Sequence, residues 1–64
     1  MKNRVKELRK ARGLRQEDVA KLLGVTRQTI NAIENDKYDP TLALGMKLAH
    51  LLEVPVEELF TLEG

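Results

Sequence analysis

Sixty-four residues with no cysteine and only 3% aromatics are enough for one small domain, which buries only about 60% of its unfolded surface; disulfides, thiolate-bound metal and a large catalytic cleft are excluded. The longest apolar run falls far short of a membrane span, and the opening MKNRVKELRK lacks the apolar segment of a secretory signal, so a cytoplasmic location is expected. A net charge of +1 hides a polarity, with ten Lys/Arg against five Asp/Glu in residues 1–37 and one against five in residues 38–64. Such a molecule can turn a basic end toward a polyanion while staying near neutral overall.

The periodicity predicts five short helices with an aliphatic core and hence an all-α bundle. The first spans about residues 3–11, with Val5 and Leu8 on one face, and stops at Gly13. The second covers about residues 16–23, with Val19, Ala20, Leu22 and Leu23 apolar, and stops at Gly24. The third runs from about Arg27 to Glu34 with Ile30 and Ile33 inward. After the polar loop NDKYDP, a fourth helix covers about residues 41–52, opened by Pro40 or Thr41. A fifth follows Pro55 over about residues 56–60. Whether residues 60–62 add a short strand against the N-terminus is left open.

The junction LGVTRQTI, residues 23–30, carries more information than the helices it joins. Gly24 suits the positive φ found just past a helix end. Thr26 is a good N-cap, its hydroxyl placed to accept from an orphan amide. Val25 and Ile30 stand as a hydrophobic staple across that cap, and Leu14 and Val19 repeat the relation at the second helix. Two helices joined this tightly cross steeply, which requires a small residue at the crossing. Ala20, Gly24, Ile30 and Ile33 fill those positions in order. This is a helix-turn-helix, whose second helix projects and can enter a DNA major groove.

Arg27 and Gln28 occupy the first turn of that helix, where base edges are reached. Arginine can bond bidentately to guanine and glutamine to adenine. Asn31, one turn on, shares the outer face and completes the predicted base-reading set. For Arg27 the competing role is a phosphate contact, and for Asn31 simple solvation. Gln16, Thr26 and Thr29, at the starts of the second and third helices, are predicted backbone contacts, because helix N-termini attract phosphate. Lys37 in the following loop is a further anchor.

The segments GLRQEDVAKLLGVTRQTINAIEN and KYDPTLALGMKLAHLLEVPVEELF resemble the lambda-repressor-like, or Xre-type, helix-turn-helix family, especially its small stand-alone members. The likeness covers about residues 5–60. It implies a compact five-helix bundle and a sequence-specific transcriptional regulator, usually a homodimer. It also implies that the residues matching Gln16 and Asn35 touch the DNA backbone. Arg9 and Glu34 match a partly buried ion pair of the family, which removes Arg9 from the DNA contacts.

Three positions depart from the family pattern. Arg15 stands where Ser or Thr commonly caps the second helix and is free instead to reach a phosphate. Asp36 replaces a glycine where positive φ is expected. Gly45 interrupts the fourth helix and is read as a close-packing point. His50 is the only histidine, Glu57 and Glu58 have no apparent cleft, and the chain has no serine. Nothing points to an enzyme, a cofactor or a metal.

Val54, Val56, Leu59, Phe60 and Leu62 exceed what a short terminal helix needs for its own inner face, so they are predicted to form a two-fold homodimer contact, with part of the fourth helix as a candidate extension. The leading expectation is a dimeric repressor on a roughly palindromic double-stranded operator. Two other readings stay open: an antitoxin autoregulating its promoter, and a protein-interaction module that has lost DNA binding.

Overall fold

The computed structural model describes residues 1–62, in the order β1 (Lys2–Asn3), α1 (Val5–Ala11), α2 (Gln16–Leu23), α3 (Arg27–Glu34), α4 (Leu42–Leu52), α5 (Val56–Leu59) and β2 (Phe60–Thr61). The helix-turn-helix elements, α2 and α3, start and stop where the sequence predicts. Val5, Val19, Ile30, Ile33, Leu48 and Leu59 are fully buried and come from all five helices. Each such side chain contributes about 1.5–3 kcal/mol relative to exposure. Leu14 and Val25, the outer halves of the two staples, pack on the same cluster.

Four of the helices end in one way. After α1, α2, α3 and α4 the chain passes through a single residue of positive φ, respectively Gly13, Gly24, Asp36 and Glu53. The next amide then turns back to the helix: Leu14 to the Arg9 carbonyl, Val25 to Ala20, Lys37 to Ala32 and Val54 to Ala49. The preceding amides reach Lys10, Lys21, Ile33 and His50. These paired bonds are the Schellman closure, which satisfies carbonyls the helix leaves open. Asp36 meets the expectation of positive φ despite its side chain. Glu53 adopts the same backbone without the glycine that would have marked it.

Two departures from the predicted elements occur at the chain ends. The first helix starts at Val5 rather than Asn3, because Asn3 pairs as a strand with Phe60 and its Oδ1 accepts from the Val5 amide at 3.0 Å. Phe60 leaves the fifth helix for the same reason. Lys2 pairs with Thr61 in this antiparallel ladder, and the Arg4 amide donates to the Leu59 carbonyl at 2.9 Å. The short strand that the sequence left open therefore exists at Phe60–Thr61, tying the entry of α1 to the exit of α5.

Gly45 is buried in α4, yet a Cβ there would lie 3.5 Å from the Phe60 ring and 3.9 Å from Pro40, ordinary contact distances. The packing is close but does not require glycine. An open apolar groove of about 590 Å³ lies between α2 and α4, lined by Leu22, Leu23, Met46, Lys47, His50 and Leu51.

Candidate nucleic-acid interface

The amphipathic order of α3 divides its residues cleanly. Ile30 and Ile33 are buried, while Arg27, Gln28 and Asn31 are exposed. Thr26 caps the helix as expected: its hydroxyl accepts from the Thr29 amide at 3.3 Å and lies 3.1 Å from the Thr29 hydroxyl. Val25 is drawn inward beside Ile30, so the cap and the staple together fix the angle at which Arg27 leaves the turn. Among the described residues, the side chains of Arg27, Gln28 and Lys37 make no hydrogen bond or ion pair, and all three are exposed. They can meet an external partner without giving up an internal bond.

Beneath this face lies a fully satisfied polar cluster. Arg9 donates through Nε to Glu34 Oε2 at 2.7 Å, through Nη2 to Glu34 Oε1 at 3.1 Å and through Nη1 to the Leu14 carbonyl at 2.8 Å. The two charged side chains are only 8% and 1% exposed. The bidentate fork suits arginine, whose planar guanidinium matches a carboxylate. One contact joins α1 to α3, and the Leu14 bond adds the loop before α2.

Gln16 reaches the same cluster, donating from Nε2 to Glu34 Oε1 at 3.0 Å. Sequence reasoning placed Gln16 at the start of α2 but missed this bond, because eighteen positions separate the two residues and no local pattern links them. Asn31 Nδ2 in turn lies 3.4 Å from Gln16 Oε1. Asn35, the C-terminal cap of α3, donates to the Asn31 carbonyl at 2.9 Å and to Asn31 Oδ1 at 3.2 Å. Asn3 was missed as well: its Nδ2 donates to the Ile33 carbonyl at 2.8 Å and to Asp36 Oδ1 at 3.1 Å, pinning the loop after α3 to β1.

Arg15 is engaged locally. Its guanidinium contacts Asp18 at 3.2 Å through both Nε and Nη2 and Glu17 at 3.1 Å. A guanidinium has no acceptor, so it cannot cap α2. Asp18 supplies the other half of a capping arrangement instead, accepting from the Arg15 amide at 2.8 Å. The hydrogen bond and charge of Arg15 hold the Asp18 carboxyl below its ordinary pKa. A phosphate would have to compete with two carboxylates for Arg15.

The residues predicted for a subunit contact separate on folding. Leu59 is fully buried in the chain's own core and drops out of any external surface. Its burial follows from α5 packing inward on a single turn, with Leu59 on the inner side. Val54, Val56 and Phe60 are partly buried against the core, while Leu62 is 85% exposed. Leu42, at 75%, and Met46, at 54%, are further exposed apolar residues of α4. A shallow cleft between Leu42, Gly45, Val56 and Phe60 continues the apolar surface.

Residues 5–59 match the helix-turn-helix family. The chain is 52% identical over 63 residues to an HTH-type transcriptional regulator of Methanocaldococcus jannaschii, covering 98% of this chain and 96% of that one. It is 46% identical to the HTH-type transcriptional regulator YgzD of Bacillus subtilis, with the same coverage of both. Among solved structures, the restriction-modification controller protein C.AhdI of Aeromonas hydrophila superposes with a TM-score of 0.80 at 38% identity, over 89% of this chain and 86% of that one. Among the described residues, no helix is long and apolar enough to cross a membrane.

Proposed function

This chain belongs to the lambda-repressor-like helix-turn-helix family of DNA-binding transcriptional regulators, and on that footing we propose that it is a repressor that reads a double-stranded operator in the major groove with α3. The observation that carries the reading is the pairing of exposed, unengaged Arg27 and Gln28 with a helix start fixed by Thr26 and Val25. Arg27 addresses guanine and Gln28 adenine, each good bidentate contact contributing about 1–3 kcal/mol of discrimination. Gln16, Thr26, Thr29, Asn35 and Lys37 surround this reader as backbone contacts, which position the domain and carry no base code. Occupying the operator excludes polymerase from it.

The active species in this reading is a two-fold dimer. Its contact surface is the predicted one without the buried Leu59, namely Val54, Val56, Phe60 and Leu62, with Leu42 and Met46 supplying the part from α4. Support comes from the concentration of exposed apolar side chains there. Such a dimer places two reading helices about 34–36 Å apart on a roughly palindromic site.

Selection of bound sequences from random DNA tests binding, symmetry and specificity together. The expected result is a palindrome whose preferences weaken at particular positions in Arg27→Ala and Gln28→Ala. Lys37→Ala should weaken every sequence alike and reduce the salt slope by about 1. Identical behaviour of the Lys37 and Arg27 variants would remove the distinction between anchoring and reading. A sedimentation run showing a monomer at micromolar concentration, both free and on DNA, would remove the dimer.

A further inference from the structure

The buried Glu34 carboxylate dictates the orientation of every amide that leads from it to the surface. A carboxylate only accepts, so Gln16 must turn its Nε2 inward, as it does at 3.0 Å. Gln16 Oε1 then faces outward and needs a donor, which Asn31 Nδ2 supplies at 3.4 Å. That choice turns Asn31 Oδ1 the other way, where Asn35 Nδ2 donates to it at 3.2 Å. The result is a directional chain, Asn35 to Asn31 to Gln16 to Glu34, with Arg9 donating to Glu34 from the far side. Each amide has one orientation compatible with its neighbours.

A purine read by Asn31 would need an amide N–H and the amide oxygen together. One N–H and one oxygen lone pair of Asn31 are already engaged, with Gln16 and with Asn35, so the polar cluster sets the plane of its amide. Arg27 and Gln28 carry no such commitments among the described residues. We propose that Asn31 is a positioning residue rather than a base reader: it holds the Gln16 amide so that the N–H left over from Glu34 points out of the cluster toward a DNA phosphate. Sequence reading in α3 is then confined to Arg27 and Gln28. This rests on the DNA-reading proposal above and deepens it.

The test is a double-mutant cycle on DNA affinity with Gln16→Ala, Asn31→Ala and both together, on the selected operator and on operators substituted at each position. Asn31 is exposed, and thermal unfolding of each variant checks that the fold is retained. Asn31→Ala is expected to weaken binding about 3- to 10-fold on every sequence, the scale of one lost hydrogen bond, with base preference unchanged. In the Gln16→Ala background the same change should cost nothing further. A flattened preference at one base pair, multiplying losses in the double variant, or no effect of Asn31→Ala would each overturn the assignment. If the wild-type protein selects no sequence, the DNA-reading proposal itself fails and takes this one with it.

Discussion

Replacing Arg9 by alanine should bring the domain to the edge of unfolding, because its buried guanidinium joins three segments of the chain. Three bonds are lost, two to Glu34 and one to the Leu14 carbonyl, and Glu34 keeps Gln16 as its one remaining side-chain donor among the described residues. Its carboxylate side chain is 1% exposed, so water cannot replace the guanidinium without opening the junction of α1, α2 and α3. Breaking one side of a buried pair costs about 3–5 kcal/mol. For a chain of 64 residues, typical stabilities of about 0.05–0.15 kcal/mol per residue amount to roughly 3–10 kcal/mol. Urea unfolding followed by far-ultraviolet circular dichroism measures the loss. With an m-value near 1 kcal/mol/M, the midpoint should fall by about 3–5 M, or the variant should be unfolded without denaturant. Arg9→Met combined with Glu34→Leu removes both charges and should recover to within about 1 kcal/mol of the parent, because buried pairs replaced by apolar residues are often neutral. A loss below about 1 kcal/mol for Arg9→Ala would place the pair with exposed ones. A double variant as unstable as the single one would show that uncompensated charge is not the cause.

Gly45→Ala should stabilise the domain by about 1 kcal/mol, since a helical glycine carries that cost and the added methyl meets Phe60 and Pro40 at ordinary distances. Calorimetry should show Tm rising by about 4–8 °C, and a fall would mean that the packing does require glycine. Glu53→Gly removes a side chain from the left-handed backbone at φ 58° and should gain about 1 kcal/mol in urea unfolding, less whatever the exposed ion pair with Arg12 contributes. Asp18 is held below its ordinary pKa by its hydrogen bonds to Arg15. A carboxyl depressed in the folded state stabilises above its unfolded pKa of about 3.9 and loses that contribution as pH falls through the folded value. Stability should therefore be insensitive to Asp18 between pH 7 and 5 and decline below about pH 4, with a smaller decline in Asp18→Asn; an NMR titration placing Asp18 at or above the ordinary value would contradict this.

Local chemistry was enough to delimit most of this protein. Gly24, Thr26 and the Val25–Ile30 staple act over at most four intervening residues, so the turn, both of its helices and the exposure of Arg27 and Gln28 follow from the order of residues alone. The positive φ at Asp36 was legible only through the family pattern, because an aspartate does not mark a helix end as glycine does. The Arg9–Glu34 pair was legible only through family resemblance, since no local rule pairs residues twenty-five positions apart. Tertiary structure decided the rest. It joined Asn3 to Ile33 and Asp36, passed Phe60 from helix to strand, buried Leu59 that the sequence had assigned to a partner, and brought Gln16 and Asn31 into the bonds around Glu34. The physical reason is range: caps, staples and helix ends are settled between neighbouring residues, whereas a side chain's last hydrogen-bond partner or its share of the core depends on which distant segment folds against it.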